Sequence, residues 1–180
     1  PTLQYIEMVV TTHCNALCKN CSNGIPFVEK NHINYEYFRD QLDKLLSKVS
    51  YIHKFQIHGG EPFLNPDLHL IVRYANASQK LLNIRIATNG SVMPSQGLIN
   101  ALRGTRVVVA ISSYDFNQIQ RVKLVDICKK NDIKYIVYDE QKWYEFDPLS
   151  RGQNHFDVCP INSYPCYYMG KVYLCARICH

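Results

Sequence analysis

The sequence predicts an α/β chain: a partial (βα) barrel of about five to six parallel strands with helices outside, and a Cys-rich hairpin extension at its C-terminus. Three observations lead there. The hydrophobic period switches repeatedly between two residues and three to four, as it does in consecutive βα units. The run Val107, Val108, Val109, Ala110, Ile111 is too continuously apolar for a strand with one wet face, and parallel strands are buried on both. Polar or glycine-bearing stretches at residues 12–21, 59–62, 89–90 and 112–115 follow predicted strands, where parallel sheets carry their ligand loops.

Taken in order, residues 3–11 end β-branched and apolar (Ile6, Met8, Val9, Val10) and read as the first strand. Asn34 caps a helix to about Val49, with Phe38, Leu42, Leu45, Leu46 and Val49 spaced by threes and fours. A short second strand, 54–58, stops at Gly59-Gly60, and Pro66 opens a helix to about Ala77. The third strand, 83–88, ends at Asn89-Gly90, and a short helix covers 95–102. The fourth strand is 106–112, and the fourth helix, 117–130, is expected to turn Ile119, Val122, Val125 and Ile127 inward. Cys128 joins Val125 and Val122 on that stripe as a buried structural cysteine. After a fifth strand at 133–138 the pattern dissolves around Trp143, Tyr144 and Phe146, which could wall a substrate pocket, linker packing against the sheet being the commoner explanation. Domain organisation follows: core 1–140, linker 141–158, Cys-rich tail 159–180.

One domain plus a tail suits 180 residues at 47% hydrophobic content. The 20 basic and 15 acidic residues give a net +5 without a Lys/Arg block, which favours anionic ligands but makes nucleic acid an unlikely partner. No run of 18 apolar residues and no secretory leader is visible, so a cytoplasmic protein with no membrane partner is expected. The opening Pro1 and the stop at His180, just past two cysteines, fit a trimmed chain or part of a longer one.

Eight cysteines in a reducing compartment point to metal before disulfides. They fall as Cys14, Cys18, Cys21; Cys159, Cys166, Cys175, Cys179; and Cys128 alone. The first group is C-x3-C-x2-C in the loop leaving the first strand. Three thiolates in eight residues fold around one small metal centre and leave a position vacant. In a four-iron, four-sulfide (4Fe-4S) cluster that vacancy is a reactive iron. Zinc and unligated thiols are the alternatives, although zinc ordinarily wants a fourth protein ligand unless catalytic. His13, next to a ligand, is badly placed to chelate.

The triple after a first strand, joined by Gly59-Gly60-Glu61-Pro62 after a second, resembles the radical S-adenosylmethionine (radical SAM) superfamily over roughly residues 3–138. The resemblance implies that Cys14, Cys18 and Cys21 hold the catalytic 4Fe-4S cluster. It also implies that Gly59, Gly60, Glu61 and Pro62 bind the methionine amino group of SAM, chiefly through backbone oxygens, and that Asn89 and Ser112 touch its ribose, carboxylate or sulfonium. His58, just before the glycines, could touch the ligand or be a satisfied core histidine, the second being the commoner case. Family members commonly place an aromatic residue before the third cysteine, beside the adenine; here it is Asn20. The implied activity is reductive cleavage of SAM to a 5'-deoxyadenosyl radical that abstracts hydrogen from a substrate.

The tail resembles the start of the auxiliary-cluster extensions called SPASM or twitch domains. Gly170 and, after four residues, Cys175 follow Cys166, with a hairpin over 167–174. Cys159, Cys166, Cys175 and Cys179 would hold a second iron-sulfur cluster, with a zinc knuckle or uncoordinated thiols as alternatives, and the tail is read as abbreviated or truncated. The implied partners are SAM, a reductant such as flavodoxin or ferredoxin, and a substrate that is a peptide or a phosphorylated sugar of a polysaccharide or nucleotide-sugar pathway. The competing function is a zinc-stabilised module without turnover.

Overall fold

A computed structural model of the chain describes residues 1–18, 20–138 and 164–174. Five βα-type strands, β1 (Thr2–Thr11), β2 (Tyr51–Gly59), β3 (Leu81–Thr88), β4 (Val108–Ser112) and β5 (Lys134–Tyr138), line up as successive parallel neighbours. β6 (Cys166–Tyr168) then lies parallel to β1 on its free side, and β7 (Lys171–Tyr173) returns antiparallel. The order β5-β4-β3-β2-β1-β6-β7 makes an open seven-stranded sheet, six of its strands parallel. The expected hairpin exists, with Met169 and Gly170 at positive φ in its turn, and it extends the sheet beside β1.

Helices α1 (Tyr35–Ser47), α2 (Leu68–Ala77), α3 (Gln96–Leu102) and α4 (Gln118–Lys130) form where the caps and periods predict. Asn34 Oδ1 accepts from Tyr37 N–H at 2.9 Å, and Ser95 Oγ accepts from Leu98 N–H at 3.2 Å, each satisfying an orphan first-turn donor. α2 starts two residues later than Pro66 suggests, because Pro62–Leu64 forms a separate 3-10 turn and Asn65 bridges to α2. Asn65 Nδ2 donates to Val10 O at 2.7 Å and Ile33 O at 2.9 Å, tying that junction to β1.

α4 corrects one expectation. Ile119 and Val122 are exposed, while Leu124 and Cys128 are buried and Val125 packs beside them. Positions 124 and 128 are four apart and share a face; 122 and 128 are six apart and do not. Cys128 is the buried structural cysteine expected of it.

The sheet has two unlike faces. Ile6, Met8 and Val10 of β1, Phe55 and Ile57 of β2, Ile84 and Ile86 of β3, and Val109 and Ile111 of β4 join Phe38, Leu42, Ile71, Val72 and Leu98 of the helices in one core. Residues alternate across a strand, so Tyr5, Glu7, Gln56, His58, Arg85 and Tyr138 project from the other face. β4 fits its reading as a strand covered on both faces: Val109, Ala110 and Ile111 are all buried.

Candidate functional site

The loop leaving β1 is pinned at its root before it reaches the cysteines. Thr11 and Thr12 are buried; Thr12 Oγ1 donates to Glu29 O at 2.6 Å and accepts from Asn31 N–H at 2.7 Å. Thr12 N–H donates to Asn31 O at 2.9 Å, completing a latch between residues 11–12 and 29–32. The His13 ring stacks on His32 with centroids 4.1 Å apart. Beyond it the chain turns tightly: Cys21 N–H donates to Cys18 O and Gly24 N–H to Cys21 O.

Cys14, Cys18 and Cys21 are half-buried, unbridged thiols on that turn. Burial pushes the Cys18 thiol up, and Cys21 and Cys14 push it the same way, as close neighbours of like charge do. Burial also raises Cys14, opposed by the Ala16 N–H on its sulfur. Among the described residues no group of three or more His, Cys, Asp or Glu is gathered as one metal ion requires. A cubane joins each thiolate to a different iron, so its donors stand farther apart than those of one ion, and the all-sulfur trio fits it better than zinc. A cluster held by these three residues would reverse the local charge logic and keep the thiols deprotonated.

The second loop locks onto the first through its backbone. Gly60 N–H donates to Thr11 O and Glu61 N–H to His13 O, both at 2.8 Å. A Cβ on Gly59 would stand 2.2 Å from Thr11 O, and one on Gly60 2.2 Å from His13 O. The glycines are therefore required by the close passage of the cysteine loop. Asn23 Nδ2 donates to Gly59 O at 2.9 Å from inside that loop. Pro62 starts the 3-10 turn and is buried.

Glu61 is fully buried and collects three donors: Thr88 Oγ1 at 2.8 Å, Asn89 N–H at 2.7 Å and Phe63 N–H at 3.0 Å. Desolvation outweighs these bonds and pushes its carboxyl up to about 7. Asn89 turns back across the mouth, with Nδ2 3.0 Å from Asn15 Oδ1 and 3.8 Å from Cys14 Sγ. Ser112 ends β4 at the same rim, its carbonyl accepting from Asn117 Nδ2 at 2.8 Å. The C-terminal ends of four strands thus bring together Cys14, Cys18, Cys21, Gly59, Gly60, Glu61, Pro62, Asn89 and Ser112. Of the tail set, Cys166 is fully buried on β6 beside Val9, and Cys159, Cys175 and Cys179 lie outside the described residues, as do Trp143, Tyr144 and Phe146.

Three contributors were not legible in the sequence. Asn117, fully buried, was read as a helix start, yet its Nδ2 donates to both Asn89 O and Ser112 O, joining two rim loops. Tyr114 lies near all three cysteines, which help burial raise its phenol, and its ring stacks on Phe116 at 5.0 Å. A cavity of about 470 Å³ opens between the loops, lined by Asn15, Leu17, Cys18, Ser91, Phe116 and Gln120 among others. That is the size range of small-molecule sites. His58 departs from the satisfied-histidine alternative: its buried Nδ1 has no hydrogen-bond partner among the described residues.

A family model described as the Radical SAM superfamily matches residues 8–138. The chain is 30% identical over 89 residues to a GTP 3',8-cyclase of Nautilia profundicola, covering 49% of this chain and 28% of that protein. It is 22% identical over 169 residues to a GTP 3',8-cyclase of Staphylococcus epidermidis, covering 88% of this chain and 49% of that one. The chain spans half or less of the length of these curated relatives. Among solved structures, Streptococcus suis SuiB bound to precursor peptide SuiA superposes with TM-score 0.60 at 14% identity, covering 78% of this chain and 34% of SuiB. BtrN in complex with AdoMet and 2-DOIA superposes with TM-score 0.54 at 16% identity, covering 98% of this chain and 74% of BtrN. These likenesses are of fold.

Proposed function

Because the chain belongs to the radical SAM superfamily, whose members use a 4Fe-4S cluster and SAM, we propose that it is the catalytic core of an enzyme that cleaves SAM reductively and abstracts hydrogen from a substrate. The observation that carries this is the latch of the Gly59–Pro62 loop onto the cysteine loop, with Asn89 bridging Glu61 and Cys14. Bound at Cys14, Cys18 and Cys21, the cluster supplies an open iron and the electron that breaks the sulfur–carbon bond, giving methionine and a 5'-deoxyadenosyl radical.

The chain's own residues orient and shield. Glu61 holds the Thr88–Asn89 turn against the second loop, so the methionine end of SAM meets a preset edge of backbone oxygens and amides. Asn89 and Ser112 face its ribose and carboxylate from the ends of β3 and β4. The apolar surfaces of Leu17 and Phe116 in the adjoining cavity serve as the adenine platform that Asn20 does not provide.

The tail cysteines are proposed to carry an auxiliary cluster, the electron to come from a flavodoxin- or ferredoxin-type donor, and the substrate to be a peptide or phosphorylated sugar. The test is anaerobic reconstitution with iron, sulfide and 5'-deoxyadenosine measured together. The wild type forms 5'-deoxyadenosine, and Cys18→Ala, lacking one of three thiolates, forms none. Product from a Cys18→Ala protein, or a colourless wild type holding stoichiometric zinc, contradicts the proposal. Cys175→Ser retains SAM cleavage if its cluster is auxiliary, and loss of cleavage in a folded Cys175→Ser protein contradicts that part alone.

A further inference from the structure

On the sheet face away from the core, Glu7, Gln56 and Arg85 stand in one row, paired Glu7↔Gln56 across β1 and β2 and Gln56↔Arg85 across β2 and β3. Glu7 is 4% exposed, yet its described partners are neutral: Tyr5 Oη donates to Oε2 at 2.8 Å and Gln56 Nε2 at 3.3 Å, and Oε1 receives no bond from the described residues. Arg85 donates to the phenol oxygen of Tyr138 at 2.7 Å and meets no carboxylate among the described residues. Burying a carboxylate without a cation is costly, and an arginine near by is the usual remedy. Here the two charges are held about two strand spacings apart, roughly 10 Å, with a neutral amide between them.

One layer nearer the cysteine loop, on the same face of β2, stands His58, paired with Val9 and carrying the buried Nδ1 without a described partner. Gly59 and Gly60 follow it directly. The face thus descends from the proposed cofactor mouth through one unsatisfied ring nitrogen to a row with a negative end and a positive end.

Resting on the function proposed above, we infer that Glu7, Gln56, Arg85 and His58 are the substrate-recognition floor beneath the SAM site. The substrate they fit is a small bipolar molecule whose phosphate or carboxylate is held by Arg85 and whose ammonium or hydroxyl donor is held by Glu7. Arg85 offers the anion a planar fork of donors. Gln56 supplies both a donor and an acceptor to the middle of the molecule, and His58 Nδ1 meets the substituent that points toward the radical. Burial and the Glu7 charge push the Tyr5 phenol well up, which keeps it a donor to Glu7.

The test is calorimetric binding of two probes to the reconstituted full chain with SAM present: glucosamine 6-phosphate and 6-aminohexanoate, each bearing an ammonium and an anion at opposite ends. Wild type binds at least one saturably at millimolar concentration, the phosphate or the carboxylate probe telling which anion the floor takes. Arg85→Gln and Glu7→Gln weaken that binding about tenfold or more. Arg73→Gln, on an exposed arginine of α2, leaves it unchanged, and SAM binding is the same in all four proteins. Failure of both probes to bind, unaltered binding in Arg85→Gln, or loss of SAM binding in Arg85→Gln overturns the inference. Wild type that binds a probe but not SAM sinks the proposed function and leaves the floor standing as an anion site.

Discussion

Gly60 has almost no room for a side chain. An added Cβ would stand 2.2 Å from His13 O and 3.0 Å from the Cys14 Cβ, so Gly60→Ala has to push the cysteine loop away from the second loop. Overpacking of this kind costs about 1–3 kcal/mol. The expected result is a lower denaturation midpoint and reduced iron per chain, read by urea unfolding and iron assay; full retention of both contradicts the latch. Glu61 has the opposite problem, a buried carboxyl with donors but no cation among the described residues. Burial raises it from 4.5 to about 7, against the pull of Phe63, Asn89 and Thr88. A folded-state value above the unfolded one means that its contribution is fully present below about pH 4.5 and lost as pH rises through about 7. The loss amounts to about 3 kcal/mol at the alkaline end. The unfolding free energy of the cluster-free wild type therefore falls more steeply between pH 4.5 and 8 than that of Glu61→Gln, and parallel curves for the two proteins contradict the assignment.

Among the elements, the caps and apolar stripes of α1 and α3 were legible because a cap and a 3.6-residue stripe are local signals, visible at Asn34 with Phe38 and Leu42, or at Ser95 with Leu98. Asn117 was not, because an asparagine before a helix looks the same whether it caps the helix or reaches across to another loop. Here its side chain makes no cap bond to α4; its amide instead holds Asn89 and Ser112. Asn117→Ala consequently costs about 2–3 kcal/mol and weakens SAM binding, whereas Asn34→Ala costs about 1 kcal/mol and leaves SAM binding unchanged. Calorimetric unfolding and SAM titration of the two variants separate these roles. α4 was misread for a related reason: Ile119 and Val122 are as apolar as Leu124, and only the docked helix shows which of them turns inward.

At the scale of the whole molecule, the strand–loop–helix alternation and the two motif loops were readable because each is short and continuous in sequence. The placement of β6 was not: three residues carry no period, and a parallel partner can come from anywhere in the chain. The two-faced sheet was likewise only half legible. Apolar residues announce a core, but Glu7, Gln56 and Arg85 look like ordinary solvent-facing positions until the register places them in one row. The account as a whole rests on three thiolates leaving one iron open toward the Gly59–Pro62 loop, so that SAM binds the metal itself. The direct measurement is electron paramagnetic resonance of the one-electron-reduced cluster with and without SAM, in a Cys159, Cys166, Cys175, Cys179 to Ser background that removes any second cluster. The account predicts a cluster signal that changes on adding SAM and is absent after Cys18→Ala; a cluster signal indifferent to SAM contradicts it.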